Sequence, residues 1–176
     1  MVTLDAFFWM LVFVFAMIGL MRGWAKEVLV TFAVVLGLFI ITLLQQFAPG
    51  IISALSVDNA TSVFWLRFVI IIVLVFFGYQ TPNIGRLAGS GRFAREKLQD
   101  SLLGLFLGGI NGFMIVGTIW YFLSQAQYPF PSIFTAPTPD SNAVQLLLLM
   151  PPQWLGIPVI YFAVALAFVF VLVVFV

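Results

Sequence analysis

The chain has no cysteine and no histidine among its 176 residues, and only 7% of them are charged. Without cysteine there are no disulfides, thiolate metal sites or thiol nucleophiles. With histidine go the imidazole ligands of most haem, copper and zinc sites, and the usual general base near neutral pH. What remains holds no visible nucleophile and base pair and no ligand cluster, so neither a catalytic centre nor a cofactor or metal site is expected. Seven basic residues against six acidic ones leave a net charge of +1. They are too few and too scattered to track a phosphate backbone, which excludes nucleic acid as a partner. Charge this sparse also cannot clothe a water-soluble domain, which devotes about a quarter of its residues to it.

What is present is hydrocarbon: 64% of the residues are apolar, 21 are phenylalanine, and the mean hydropathy is +1.21. Apolar runs occupy Ala6–Met21, Val28–Leu44, Val63–Gly78 (broken once by Arg67), Leu102–Leu123 and Ile157–Val176. Backbone groups cannot go unpaired in a bilayer, and no run alternates with the period of a barrel strand. The pattern therefore predicts an all-α, polytopic integral membrane protein of about five spans, with the whole chain as one membrane domain. Met1–Asp5 carries no basic residue and no small-residue cleavage pattern follows the first run, so that run is expected to remain as a span.

Lysine and arginine set the orientation. Arg22 and Lys26 lie in the first connection, and Arg86, Arg92, Arg95 and Lys97 in the third, whereas the connections Gln45–Ser62 and Ser124–Gly156 have none. This asymmetry puts the amino terminus outside and the carboxyl terminus inside. Arg67, near the outer end of the third span, is expected to snorkel outward or to pair with a carboxylate such as Asp5 or Asp58. Gly89–Asp100 reads either as a short amphipathic helix on the cytoplasmic surface or as a solvated loop. Tyr128–Pro152 contains six prolines, which favours extended chain, and its apolar Ala143–Met150 stretch, with Tyr128, Phe130 and Trp154, reads as a cap on the outer leaflet.

Two motifs stand out. Gly19 and Gly23, four residues apart around Arg22 and followed by Glu27, let another backbone approach and predict a tight turn that brings the first two helices into an antiparallel hairpin. An Arg22–Glu27 ion pair, or contact of Arg22 with lipid phosphate, would hold that turn at the inner surface. Gly104, Gly108 and Gly112 recur every four residues and line one face of the fourth span, with Asp100 at the expected N-cap. Asn111 falls inside this span, where its amide requires an interhelical partner or a polar cavity.

The order Asp5, Gly19-Leu20-Met21-Arg22-Gly23, Glu27, then Asp100, Leu103-Gly104, Gly108 and Asn111-Gly112 resembles the colicin V production protein (CvpA-like) family over about residues 1–125. The family has a basic residue where this chain has Asn111, and the span from Ile157 is additional to its usual four. The resemblance implies a protein of the bacterial inner (cytoplasmic) membrane that assists toxin export or envelope homeostasis, with no defined reaction or substrate.

Two further readings compete with a non-enzymatic CvpA-like role. Scant extramembrane mass, glycine-faced helices and an apolar run reaching Val176 suit an accessory subunit of a larger energy-transducing or light-harvesting membrane complex, packed between subunits or shaping a lipid or quinone path. A small transporter or channel would need a watery path to Asn111. The expected partners are the bilayer, other membrane subunits or further copies of the chain, with pigment, quinone or lipid tails as candidate ligands.

Overall fold

The computed structural model describes residues 3–58, 60–80, 93–139 and 141–175. Among them all regular structure is helical, in the order α1 (Leu4–Arg22), α2 (Trp24–Phe47), α3 (Pro49–Asp58), α4 (Ala60–Tyr79), α5 (Phe93–Gln125), α6 (Asn142–Leu147), α7 (Pro151–Trp154) and α8 (Val159–Phe175). The breaks follow backbone chemistry. Gly23 ends α1 with φ +83° and starts α2 one residue later, a conformation that side chains with a Cβ rarely adopt. Ala48 leaves the helical region (φ −129°, ψ 50°) because Pro49 follows it, and Pro49 and Pro151 each open a helix where their missing N–H costs nothing.

Helices α1, α2, α4 and α5 are long and apolar enough to cross a membrane. The 17 residues of α8 cover about 25 Å at 1.5 Å per residue, short of a ~30 Å hydrocarbon core. Phe13, Phe77, Phe106 and Leu166 project from the bundle and are exposed. An exterior of that kind is stable only with hydrocarbon as its solvent.

Val30, Val34, Phe64, Ile71, Ile115 and Ile160 form the main core between α2, α4, α5 and α8. A second core joins Phe8, Trp120, Ala143 and Met150 where α1, α5 and the α6–α7 segment meet. Contacts fix the running directions. Arg22 touches Tyr79 and Trp24 touches Asp100 at one end. At the other, Phe8 packs on Trp120 and Tyr161 reaches Gln46.

Three expectations change. The chain does turn at Gly23, but α1 packs chiefly on α5 and only slightly on α2, so the first two helices are not a paired hairpin. Glycine on both facing surfaces of α1 and α5 lets their backbones come together, and this contact wins. Asp100 is not an N-cap: α5 starts at Phe93 and continues through it, since nothing between Phe93 and Leu102 breaks a helix. Residues 93–100 of the expected surface segment are thus the first turns of α5, and 89–92 lie outside the described residues, as do Arg86 and Arg92. Within the Gln45–Ser62 connection, α3 is a helix that its short apolar stretch did not announce.

The proline-rich segment has turns at 131–133 and no regular structure over 134–138. Its later part dips inward: Met150 and Pro151 are buried, and a Cβ on Gly117 would stand 2.5 Å from the Met150 sulfur. Gly117 lies about 12 Å along the helix axis from Gln125.

Candidate functional site

Where α1 meets α5, glycines replace side chains. A Cβ on Gly108 would stand 2.9 Å from the Gly19 Cα, one on Gly104 3.0 Å from the Gly23 Cα, and one on Gly112 3.0 Å from the Val12 Cα. Both sequence motifs therefore meet in one antiparallel seam of near backbone contact, the arrangement that small residues permit between helices in lipid.

Beside the seam lies a polar cluster. Glu27, in the first turn of α2, is completely buried. Its Oε1 accepts from Arg22 Nη1 at 2.7 Å, and its Oε2 accepts from Asn111 Nδ2 at 2.8 Å. The same Asn111 nitrogen donates to the Glu27 backbone carbonyl at 2.8 Å, while Thr31 Oγ1 donates to Asn111 Oδ1 at 2.7 Å. An amide turned with its nitrogen to two acceptors and its oxygen to a hydroxyl is saturated by these groups. Arg22 Nη2 donates to the Tyr79 carbonyl at 3.0 Å, and its guanidinium lies 4.3 Å from the centroid of the Tyr79 ring. Buried charge is tolerated in lipid when it is paired and hydrogen-bonded in this way.

Asp100 joins from α5. Its Oδ1 accepts from the Trp24 backbone N–H at 3.1 Å, which satisfies a donor left free at the start of α2 and sets a negative charge at the positive end of that helix. This explains an aspartate in mid-helix: its carboxylate serves another helix. The approach also requires the glycine at position 23, since a Cβ there would meet the Asp100 carboxylate.

Arg67 stands apart, at the other end of α4. Its Nη1 donates to Gln125 Oε1 at 2.6 Å and its guanidinium faces the Phe122 ring at 5.2 Å. Gln125 in turn donates to the Tyr121 hydroxyl at 2.9 Å. The half-buried arginine is thus held by an amide and an aromatic face on α5; Asp5 is not its ion-pair partner, and the Asp58 side chain lies outside the described residues.

Thr31, Tyr79, Gln125 and the Trp24 N–H escaped the sequence reading. Thr31 had a signal, lying one turn after Glu27 on the same face. Tyr79 contributes a carbonyl and a ring, which no residue pattern marks. Among the described residues no group of three acidic side chains gathers to hold a metal ion.

The family model described as colicin V production protein matches residues 4–152. The chain belongs to the colicin V production protein family. No curated protein and no solved structure matches it. The match runs past the two glycine motifs and takes in the proline-rich segment as far as Pro152, while α8 lies beyond it. Membership, with four long apolar helices, makes this a multi-pass membrane protein, and the family is not a known enzyme family.

Proposed function

We propose that the chain is a five-span protein of the bacterial cytoplasmic membrane, amino terminus outside and carboxyl terminus inside, that assists toxin export or envelope homeostasis through contacts with proteins and lipids. It does so without catalysis. The observation that carries the reading is the closed state of the polar cluster: Glu27 and Asn111 are wholly buried and bonded to each other, which leaves no opening at the cluster itself for a substrate. The same burial weighs against a channel, since neither of the two cavities described below is lined by Asn111.

The orientation rests on the basic residues flanking Gly23 and preceding Leu102. Gathering of Arg22, Tyr79 and Asp100 at one end of the bundle supports a common face for both connections. As the fifth span, α8 runs beside α2, with Tyr161 at Gln46 and Phe32 near Phe170. Its short length is made up by local thinning or by flanking residues.

Two measurements test this. Reporter tags after Leu44 and after Leu123 should lie on the face opposite to a tag near Arg92; a shared compartment refutes the topology. Deleting the gene should reduce colicin V secretion or weaken the envelope barrier to detergent, and the wild-type chain should restore both. An undisturbed deletion strain would overturn the role. Stoichiometric copurification with a cofactor-bearing complex would favour the accessory-subunit reading instead.

A further inference from the structure

Two cavities meet at the amino-terminal end of α1. One is a cleft of about 230 Å³ between α1, α4 and α5, walled by Phe7, Leu11, Phe15, Ile72, Ile119 and Trp120 among other apolar residues. The second is a basin of about 840 Å³ between the start of α1 and the segment from Pro131 to Ala143, to which Thr3, Asp5, Ser132, Thr135, Thr138 and Asn142 bring polar groups. Leu4, Phe7 and Phe134 line both, so basin and cleft adjoin across these three side chains, the one polar and the other apolar.

We propose that these adjoining cavities bind one phospholipid with an ammonium-bearing head, phosphatidylethanolamine, from the leaflet on the Asp5 side. The dimensions of the cleft fit a lipid tail. From Leu4 to Phe15 the cleft follows α1 for about 16 Å, close to half of the ~30 Å hydrocarbon core, the depth of one leaflet. The wall of the cleft calls for plain hydrocarbon. Its one polar side-chain group is the Trp120 indole N–H, which is already directed at the Tyr128 hydroxyl 3.3 Å away. A quinone ring would find no free donor for its carbonyl oxygens there.

The basin selects the head. Among its described lining residues Asp5 is the one charged side chain, and no lysine or arginine faces it. An anionic head such as phosphatidylglycerol would meet that carboxylate with no cationic side chain among the described lining residues to offset it. A primary ammonium can donate a charge-assisted hydrogen bond to Asp5, whose carboxylate also accepts from the Thr3 hydroxyl, while the Ser132 and Thr135 hydroxyls and the Asn142 amide donate to the phosphate. A choline head carries charge but no N–H, so it is the weaker zwitterionic ligand. The site requires α1 to lie in the bilayer and does not depend on the export role, so a null secretion result leaves it standing.

The test uses the full chain in nanodiscs of equimolar phosphatidylethanolamine, phosphatidylglycerol and phosphatidylcholine, released into mild detergent for native mass spectrometry. One retained phosphatidylethanolamine per chain is expected, favoured over phosphatidylglycerol by roughly tenfold. Asp5→Asn should bring the two within roughly twofold of each other, Asp5→Glu should keep the preference, and Leu11→Trp, which fills the cleft, should lower retention of all three lipids. Equal retention by the wild-type chain, or an unchanged preference in Asp5→Asn, overturns the proposal. Asp5→Glu is the control for folding, and its losing the preference together with Asp5→Asn would remove the ammonium contact from the account.

Discussion

Removing Arg22 should harm this protein more than neutralising the carboxylate it pairs with. Glu27 has no exposure at all, whereas Arg22 keeps 17% and sits at a helix end. Arg22→Met strands a buried carboxylate with only the Asn111 amide as a side-chain donor, and breaking a buried pair in this way costs about 3–5 kcal/mol. It also removes the bond to the Tyr79 carbonyl and the contact with the ring, about 0.5–2 kcal/mol for the cation–π part. Glu27→Gln leaves an arginine that can turn its head to the interface and an amide that still hydrogen-bonds, so about 1–2 kcal/mol is expected. The double variant Arg22→Met/Glu27→Gln strands no charge and should be less damaged than Arg22→Met alone, a coupling of about 2 kcal/mol. Titrating the protein from mild detergent into sodium dodecyl sulfate, with tryptophan fluorescence as the readout, measures all three. The reasoning fails if Arg22→Met unfolds no earlier than Glu27→Gln, or if the two losses simply add.

Gly108→Leu should separate α1 from α5, because its side chain has only the Gly19 backbone and the Phe15 carbonyl to occupy; a loss of about 1–3 kcal/mol or more is expected in the same titration. Gly50→Ala, which meets nothing within 4 Å, should stay within about 0.5 kcal/mol of wild type. Asn111→Leu strips the amide from Glu27 Oε2 and from the Thr31 hydroxyl, and should cost about 1–2 kcal/mol, with an additive result alongside Glu27→Gln counting against the cluster. Met150→Ala empties a fully buried position against Gly117; a loss of about 2–4 kcal/mol and faster proteolysis between Gln127 and Trp154 are expected.

Helix type and the presence of long apolar helices were readable because hydrocarbon length and apolar runs are one-dimensional properties of a chain. The glycine spacing was readable for a similar reason, since Gly104, Gly108 and Gly112 share a face whatever they touch. What they touch was not readable. Nothing in residues 19–27 says that the first helix leaves its neighbour in sequence and lies on one more than eighty positions away. Asp100 misled because an acidic residue before an apolar run looks like a cap for its own helix, whereas here the helix begins earlier and the carboxylate reaches the free N–H of Trp24. Arg67 suggested outward snorkelling or a carboxylate partner, and its guanidinium instead meets the Gln125 amide and the Phe122 ring, contacts that charge alone does not announce. The inward dip of Met150 lay beyond pattern reading because it depends on the space that Gly117 leaves on another helix.

The geometry divides the chain into a body packed through side chains and one helix packed mostly through backbone. Val30, Val34 and Ile71 lock α2 and α4 together through side chains that no solvent reaches. In α1 the buried residues are Phe8 and Gly19 alone, and its other side chains face outward or are half covered. This helix is held by three attachments of different kinds: Phe8 in the second core, the glycine seam at its middle and end, and the Arg22–Glu27 pair at its last turn. Lipid as solvent gives no hydrophobic drive to press it against the body, so these contacts carry the whole association. The two cavities open beside the first attachment and the charged cluster closes the last, so the two ends of α1 are held by contacts of opposite chemistry.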